Sequence, residues 1–466
     1  MRLCLRRLRL RLRRWREVSM GIRKWFMTVR PIEPGLYPGL LELDGETHRL
    51  HLRIETSGGG LLTIDAGRIL HLNPTAAEIV FHLIDGLTAK ETVEQMRRRY
   101  RIGREALLGD VERILNTVRS LSATDRVCPS SDLGVELIEP YSPELSAPLR
   151  LDLALTYRCQ NRCGHCYNDE TRVVKELDTD GWRGVLDACL KAGIPHVVFT
   201  GGEPTLRDDL VDLVAYAEEL GLVTGLNTNG RRLASEGYAT RLYEAGLDHV
   251  QVTLESADPK IHNGVTGAES FDETLKGLRA SVAAGLYTMT NTTITKTNVS
   301  GMEKLVDFVA DAGLSTFAVN GMIYSGRGEK SGVELAPDEV IPVLEQMAAR
   351  ARAKNLRFIW YTPTRYCELN PVEMGLGVKQ CTAARLSMAV EPDGTVIPCQ
   401  SYYEGVGNIL KDEWKQIWNH PLCKKLRLPQ QPLAECEACE HLSLCGGGCP
   451  LETEHRGVCC REIASG

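Results

Sequence analysis

Residues 156–168 read TYRCQNRCGHCYN and place Cys159, Cys163 and Cys166 in a C-x3-C-x2-C pattern. Thiolates are the usual protein ligands of iron–sulfur clusters, so three of them on one short loop indicate three corners of a four-iron cluster. No fourth ligand stands nearby, which leaves one iron open for chemistry. Structural zinc sites are instead closed by four ligands, commonly as two C-x2-C pairs, so these spacings fit zinc poorly. On this stretch alone, the alternative is chance clustering in a cysteine-rich chain.

A second motif, Gly201-Gly202-Glu203-Pro204, follows a predicted strand at residues 196–200. Glycines at a strand end allow the backbone to approach a ligand closely. Together the two motifs resemble the radical S-adenosylmethionine (radical SAM) enzymes. The resemblance implies that SAM chelates the open iron, that Gly201 to Pro204 and the aromatic Tyr167 bind SAM, and that the reduced cluster cleaves it. The resulting 5′-deoxyadenosyl radical abstracts a hydrogen atom from the substrate.

The resemblance assigns further SAM contacts to the ends of the third and fourth predicted strands, at Asn227, Thr253 and Ser256. Here the chain departs from the common family pattern, because residues 253–256 read TLES where SLDG is frequent. Gly326-Arg327-Gly328, beyond the sixth strand, also resembles family members, with a surface turn as its alternative. The sequence names no catalytic residue outside the cluster loop.

From residue 151 onward, short apolar runs alternate with helical stretches. The runs predict strands at residues 151–155, 196–200, 222–227, 249–254, 289–294 and 316–320, with helices between them, for example at 206–220, 271–284 and 301–312. Parallel strands need crossover helices, so these units predict an α/β fold with a partial (β/α)6 TIM-like barrel. Barrels of this kind place their chemistry at the C-terminal ends of the strands, where both motifs fall.

The N-terminal region predicts a small winged-helix-like α+β domain. Residues 36–71 alternate between apolar and polar, with breaks at Asp44-Gly45 and Gly58–Gly60. Three helices follow: N-caps at Asn73 and Thr88 predict the first two, and amphipathic spacing predicts the third. A DNA reader of this shape would be basic, but residues 73–121 hold eight Lys/Arg against seven Asp/Glu. Residues 71–76, 85–86 and Tyr100 resemble the RiPP recognition element, typified by the chaperone of pyrroloquinoline quinone biosynthesis. That resemblance implies a leader peptide added as a strand to the sheet edge; the alternative is a structural cap.

A second cysteine array fills the C-terminal region. On spacing alone, its two close pairs also fit a zinc ribbon. Joined to the first loop, the array resembles the SPASM extension of radical SAM enzymes, which carries one or two auxiliary iron–sulfur clusters. The resemblance assigns Cys381, Cys399 and Cys449 to one cluster with Cys367 as the candidate fourth ligand, and Cys436, Cys439 and Cys445 to another, completed by Cys459 or Cys460.

Composition limits the remaining choices. With a net charge of -6 and no long apolar run, the 466-residue chain predicts no nucleic-acid partner and no transmembrane segment. Most of its sixteen cysteines fall in short-spaced sets, which favours metal binding in a reducing compartment, the cytoplasm. The arginine-rich start predicts a basic arm, or upstream codons translated from a wrongly assigned start, with Met20 or Met27 in place of Met1.

The predicted organisation has six segments: a basic arm (1–34), a peptide-binding domain (35–123), a linker (124–149), the radical SAM barrel (150–330), a bridging helix region (331–366) and the SPASM domain (367–466). This order predicts an enzyme that matures a ribosomally made precursor peptide, with a low-potential ferredoxin or flavodoxin as electron donor. Formylglycine formation is disfavoured, because Gln400 stands where sulfatase maturases place an aspartate base. The alternatives are maturation of a small cofactor (a modified haem, a quinone or a pterin–metal centre) and a non-catalytic protein that binds zinc and peptide.

Overall fold

The computed structural model describes residues 32–65, 68–123, 145–168, 172–429 and 434–456. The predicted basic arm and linker lie almost wholly outside these ranges, as do Cys459 and Cys460. Within the ranges, no helix has both the length and the apolar character needed to cross a membrane. The chain forms two compact units: one is residues 1–147 with 186–196 and 217–223, and the other is residues 148–185, 197–216 and 224–466.

The N-terminal sheet has four antiparallel strands in sequence order, β1 (Gly35–Leu43), β2 (Glu46–Ile54), β3 (Gly60–Ile64) and β4 (Arg68–Leu72). Three helices follow, α1 (Pro74–Ile84), α2 (Ala89–Arg97) and α3 (Arg104–Ala123). The cap signals in the sequence are confirmed, since Asn73 accepts the N–H of Ala76, and Thr88 forms a capping box with Glu91. The predicted small α+β domain is therefore present.

Helix α1 organises the core of this domain because it is apolar on two sides. Ala77, Val80 and Ile84 pack against leucines and isoleucines of the sheet. Ile79 and Leu83 point to the other side and meet buried residues of α2 and α3. A helix buried between a sheet and two further helices needs apolar residues on more than one stripe, which the spacing of these five residues supplies.

Alternate side chains of β2 contact residues 193 and 218–221, which belong to the same unit. His51 donates from Nε2 to the carbonyl of Gly221 at 2.7 Å, and Arg53 donates to the carbonyl of Gly193 at 3.3 Å. Arg49 forms an ion pair with Glu218 at 3.1 Å. Because side chains alternate along a strand, the opposite residues Leu50 and Leu52 remain in the core. One strand therefore serves both the core and this polar contact.

Burial of His51 predicts an acid-dependent loss of stability. Desolvation, with a smaller contribution from Arg49, lowers the pKa of His51 from 6.5 to about 3. Above pH 6.5 the ring is neutral in both the folded and the unfolded chain, so it contributes nothing there. Below that pH only the unfolded chain takes up the proton, so the free energy of unfolding falls by about 1.4 kcal/mol per pH unit down to the folded pKa.

The measurement is urea unfolding under anaerobic conditions at pH 7.5 and pH 5.5, with the parent protein and the His51→Gln variant. We expect the parent to lose about 1 kcal/mol more than the variant between the two pH values. Glutamine keeps a donor for Gly221 but does not titrate, so other acid-sensitive groups cancel in the comparison. Equal losses in the two proteins would show that His51 already binds a proton in the fold.

The second sheet has ten strands in the order β11-β10-β9-β8-β7-β6-β5-β12-β13-β14. The pairs from β7 through β11 and the pair of β5 with β12 are parallel, whereas β13 and β14 pair antiparallel. The strands are β5 (Arg150–Thr156), β6 (His196–Gly201), β7 (Val223–Thr228), β8 (His249–Thr253), β9 (Tyr287–Thr293), β10 (Thr316–Asn320), β11 (Arg357–Trp360), β12 (Ser387–Val390), β13 (Thr395–Ile397) and β14 (Gly407–Asn408).

Helices connect these strands and cover the sheet. They are α4 (Thr179–Ala192), α5 (Leu210–Glu219), α6 (Tyr238–Ala245), α7 (Pro259–Thr266), α8 (Phe271–Ala283), α9 (Met302–Asp311) and α10 (Pro337–Ala353). The C-terminal region adds α11 (Trp414–Trp418), α12 (Pro421–Arg427), α13 (Leu442–Cys445) and α14 (Pro450–Arg456). This alternation gives the partial parallel barrel that the sequence predicts.

All six predicted strands are confirmed, with ends that differ by one or two residues. The sequence missed β11 at one edge of the sheet and β12, β13 and β14 at the other. None of them has more than four residues, and β12 is buried throughout, so none shows the alternation that marks a longer strand. Helix α5 begins at Leu210 rather than 206 because residues 204–206 form a separate 3-10 turn.

Candidate active site

The cysteine loop leaves the C-terminal end of β5. Cys159 is exposed, while Cys163 and Cys166 are partly buried. Burial is the main cause that raises the pKa of Cys163, and the thiols of Cys166 and Cys159 add to it. Three close thiolates are therefore unfavourable without positive charge among them, which fits an iron cluster. No three His, Cys, Asp or Glu side chains converge on a single ion in the part of the chain that the structure describes.

Gly201 and Gly202 hold the start of this loop. The N–H of Gly202 donates to the carbonyl of Thr156 at 2.7 Å. A Cβ on Gly202 would lie 2.4 Å from the carbonyl oxygen of Arg158, and one on Gly201 would lie 2.2 Å from that of Thr156. The two glycines of the motif predict a close approach of the backbone to a ligand. In the structure, the glycines use it to place two loops of the chain side by side.

Gly326-Arg327-Gly328 holds the other end of the loop. Arg327 Nε donates to the carbonyl of Cys163 at 2.9 Å, and Gly328 N donates to that of Cys166 at 3.1 Å. Gly326 has a positive φ of 58°, and a Cβ there would lie 2.5 Å from the carbonyl oxygen of Asn168. This motif is therefore not a surface turn, since it binds the backbone of two of the three cysteines.

The end of α7 completes the support. Arg162 N donates to the carbonyl of Thr266 at 2.9 Å, and Gly164 N donates to that of Val265 at 3.1 Å. Gly267 follows with a φ of 62° and ends the helix in the left-handed region. Three separate strand or helix ends therefore fix the backbone of the cysteine loop by main-chain contacts. No local sequence pattern indicates the part played by α7.

Glu203 is a buried carboxylate whose hydrogen bonds are directed to the protein. Its oxygens accept from the N–H and hydroxyl of Thr205, the hydroxyl of Thr228 and the N–H of Asn229, at 2.6–3.1 Å. Burial raises the pKa of Glu203, and these four donors oppose that shift. Asn229 in turn directs its amide toward Cys159 Sγ at 3.9 Å. Glu203 thus joins the ends of β6 and β7 beneath the cysteines.

The remaining predicted SAM contacts lie at strand ends, as expected for a barrel site. Asn227 is the penultimate residue of β7 and Thr253 is the last residue of β8, and both are partly buried. Pro204 is buried and begins the 3-10 turn after Glu203. Ser256 is 1% exposed, and its hydroxyl accepts the N–H of Asp258 at 3.0 Å. Ser256 therefore stabilises its own turn, and its contact with SAM stays a prediction.

Tyr167 joins the cysteine loop to the C-terminal region. Its hydroxyl donates to Gln400 Oε1 at 3.0 Å, and the hydroxyl of Tyr403 donates to the carbonyl of Tyr167 at 3.2 Å. Gln400 follows Cys399, one of the predicted auxiliary ligands. Burial is the main cause that raises the pKa of Tyr167, and the thiols of Cys166 and Cys399 add to it.

The cysteines of the first predicted auxiliary site lie close together. Burial raises the pKa of Cys381 to about 11 and those of Cys399 and Cys449 to about 12, and each thiol is also affected by another member of the set. Cys367, the candidate fourth ligand, is disulfide-bonded, so that bond must open before its sulfur can bind iron. A role for Cys367 stays a prediction.

The second predicted auxiliary set is more open. Cys439 is exposed and Cys436 partly buried, while Cys445 is buried and accepts the N–H of Tyr366 at 3.4 Å. Burial is the first cause that raises the pKa of Cys445, and the thiols of Cys439 and Cys436 add to it. These three cysteines are thus near one another, while both candidates for the fourth ligand lie outside the described residues.

Sequence profiles of known families match the chain in the predicted order. Coenzyme PQQ synthesis protein D matches residues 58–121, the radical SAM superfamily 153–309, and the SPASM iron–sulfur cluster-binding domain 381–440. The mycofactocin maturase MftC of Mycobacterium ulcerans is 31% identical over 323 residues, which cover 67% of this chain and 86% of that protein. The chain belongs to the radical SAM superfamily.

Two further proteins resemble this radical SAM enzyme. The PqqA peptide cyclase of Streptomyces rochei is 31% identical over 287 residues, 59% of this chain and 77% of that protein. The crystal structure of Streptococcus suis SuiB bound to precursor peptide SuiA has a TM-score of 0.65 at 19% identity, covering 86% of this chain and 94% of that one. The similarity to SuiB shows a shared fold.

These matches confirm the predicted radical SAM enzyme with the domain order of a peptide maturase. Its cofactors are SAM with a [4Fe-4S] cluster, and auxiliary iron–sulfur clusters in the SPASM region. When bound, SAM and the reduced cluster supply the radical. The protein supplies binding, orientation and exclusion of side reactions.

The sequence missed one contact in the site. Glu255, at the end of β8, lies 3.1 Å from Nε2 of His165, which stands between Cys163 and Cys166 in the loop. The two residues are ninety positions apart, so no local pattern links them. The available signal was the acidic residue in TLES, at the strand end where barrel enzymes place their chemistry.

Proposed function

We propose that this radical SAM enzyme matures a ribosomally made precursor peptide whose leader binds the N-terminal sheet. The relatives supply one line of support, since their names refer to a peptide substrate or a maturase reaction. The observation that carries the proposal is the edge of β4, which pairs with no further strand within the described ranges. A sheet edge presents unpaired backbone donors and acceptors, which an extended peptide pairs with as an added strand.

The two edges of this sheet differ in a way that favours β4. Strand β1 contains Pro38, which has no N–H to donate, and proline blunts an edge against pairing. Strand β4 contains no proline, and it exposes Ile69 (45%) beside His71 on one face. Ile69 pairs with Thr63 of β3 on its inner side. On its outer side, a side chain of an added strand would lie next to Ile69. An apolar leader residue fits that position.

Leader binding is expected to depend on Ile69. In an anisotropy titration with a labelled leader peptide, Ile69→Glu weakens binding by about tenfold or more, because an apolar contact is replaced by a charge that must be desolvated. SAM cleavage without peptide stays unchanged. The matched control is Val282→Glu, a similarly exposed apolar residue (37%) on α8. Equal affinity of parent and Ile69→Glu, or equal weakening by both variants, would remove β4 as the docking edge.

We also propose the assignment of ligands to the three cluster sites. Cys159, Cys163 and Cys166 hold the cluster that binds SAM, and their proximity on a loop fixed by three backbone supports favours this. One auxiliary cluster is held by Cys381, Cys399 and Cys449 with Cys367. The other is held by Cys436, Cys439 and Cys445 with Cys459 or Cys460. SAM is contacted by residues 201–204 and by Tyr167, Asn227, Thr253 and Ser256. The six segments with boundaries after residues 34, 123, 149, 330 and 366 form the functional domains.

An electron donor completes the proposal. A low-potential ferredoxin or flavodoxin in the cytoplasm supplies the electron that reduces the cluster, a setting supported by sixteen cysteines that fall mostly in short-spaced sets. SAM cleavage driven by flavodoxin, its reductase and a reduced nicotinamide tests the donor. Turnover with chemical dithionite alone, and none with either protein donor, would reject it.

A further inference from the structure

Glu255 and His165 form a buried pair directly beneath the cysteine loop. The side chain of Glu255 is 0% exposed and that of His165 is 12% exposed, and Oε1 of the glutamate lies 3.1 Å from Nε2 of the histidine. His165 is flanked by Cys163 and Cys166 within two positions in the sequence. A change in the position of the ring therefore also shifts the short segment that carries these two predicted cluster ligands.

Glu255 is itself held in place by other strands and turns. Its second oxygen, Oε2, accepts the N–H of Thr293 at 3.0 Å. Its carbonyl accepts the side-chain amide of Asn298 at 2.9 Å, and its N–H donates to Nδ1 of His262 at 3.2 Å. These contacts fix both the backbone and the carboxylate. The direction of Oε1 is therefore set by contacts outside the cysteine loop.

The contact between the two side chains leaves two buried polar atoms without a hydrogen bond. Oε1 of Glu255 lies within ion-pair distance of Nε2 of His165, but among the described residues it accepts no hydrogen bond. Nδ1 of His165 is likewise buried without a hydrogen-bond partner there. Buried polar atoms in folded proteins are normally paired, so these two atoms are available to a group that the site binds.

We infer that Glu255 is a positioning residue that fixes the ring of His165 and, through it, the geometry of the cluster loop toward bound SAM. The inference rests on the assignment of Cys159, Cys163 and Cys166 to the SAM-binding cluster. It does not depend on the substrate, because the pair lies between β8 and the cysteine loop. Partners that orient a metal-binding segment typically affect cofactor affinity by about 10- to 100-fold when they are removed.

The test uses the reconstituted enzyme and SAM alone, without peptide. Glu255→Gln keeps the side-chain volume but removes the negative charge that faces Nε2 of His165. We expect unchanged iron and sulfide content, an affinity for SAM about tenfold weaker by equilibrium dialysis, and an altered SAM-dependent electron paramagnetic resonance (EPR) signal of the reduced cluster. Glu244→Gln, the same change at an exposed position of α6, leaves all three unchanged.

A double-mutant cycle separates this role from a general effect on folding. His165→Phe removes the ring nitrogens, so adding Glu255→Gln to that variant weakens SAM binding no further. If the two effects add, Glu255 acts elsewhere and the inference fails. Where Glu255→Gln does not fold, Glu255→Asp takes its place, with a shorter reach to His165. Parent-like affinity and EPR signal in a folded Glu255 variant also overturn the inference, and neither result bears on peptide recognition.

Discussion

Cys163→Ala is expected to abolish reductive cleavage of SAM while the auxiliary clusters remain. The change removes one of three thiolates on a loop with no fourth ligand, and the remaining two are too few to hold a four-iron cluster with one open iron. Iron and sulfide should each fall by about four atoms per chain. The measurements are the metal content, the production of 5′-deoxyadenosine after reduction, and the SAM-dependent EPR signal.

The control is Cys189→Ala, which removes a fully buried thiol of α4 that belongs to none of the predicted cluster sets. It tests for a general effect of losing a cysteine, and we expect full cleavage of SAM. If Cys163→Ala retains the parent's rate and iron content, the assignment of this loop to the SAM-binding cluster is wrong.

Gly202→Ala is the second change with a large expected effect, because it adds one methyl group where the cysteine loop leaves no space. The new Cβ would lie 2.4 Å from the carbonyl oxygen of Arg158 and 2.5 Å from that of Tyr157. Both neighbours are backbone atoms, so relief requires displacement of the loop itself. We expect destabilisation of about 1–3 kcal/mol and a loss of SAM cleavage of tenfold or more.

Gly164→Ala is the matched control, since it adds the same methyl group within the cysteine loop. No heavy atom lies within 4 Å of a Cβ at Gly164. Thermal unfolding, iron content and SAM cleavage of both variants distinguish a steric requirement at Gly202 from sensitivity of the whole loop. Parent-like values for Gly202→Ala would mean that the two backbones do not meet as described.

The sequence predicted most of the barrel because its signals are local. Strand β10 and the runs before Cys159 and Gly201 combine β-branched or apolar residues with turn residues at their ends, and these patterns survive in the fold. The three cysteines could be recognised without knowledge of tertiary contacts, because they all lie on one loop. The cap residues Asn73 and Thr88 were predictable for the same reason.

What could not be predicted depends on contacts between distant parts of the chain. The pairing of Glu255 with His165 and the support of the loop by the end of α7 arise only when strands are placed side by side. The sequence predicts that Gly201 and Gly202 contact SAM, and this stays a prediction. Their close approach to the carbonyls of the cysteine loop is visible only in the structure.

The most direct test of the central claim follows one hydrogen atom. The enzyme is reduced anaerobically with SAM and a precursor peptide whose core residues carry deuterium, and 5′-deoxyadenosine and peptide are analysed by mass spectrometry. The proposed function predicts that deuterium moves from the peptide to 5′-deoxyadenosine and that the peptide mass changes in the same reaction. Cleavage of SAM without deuterium transfer, with the peptide mass unchanged, would contradict it and favour a small-cofactor substrate.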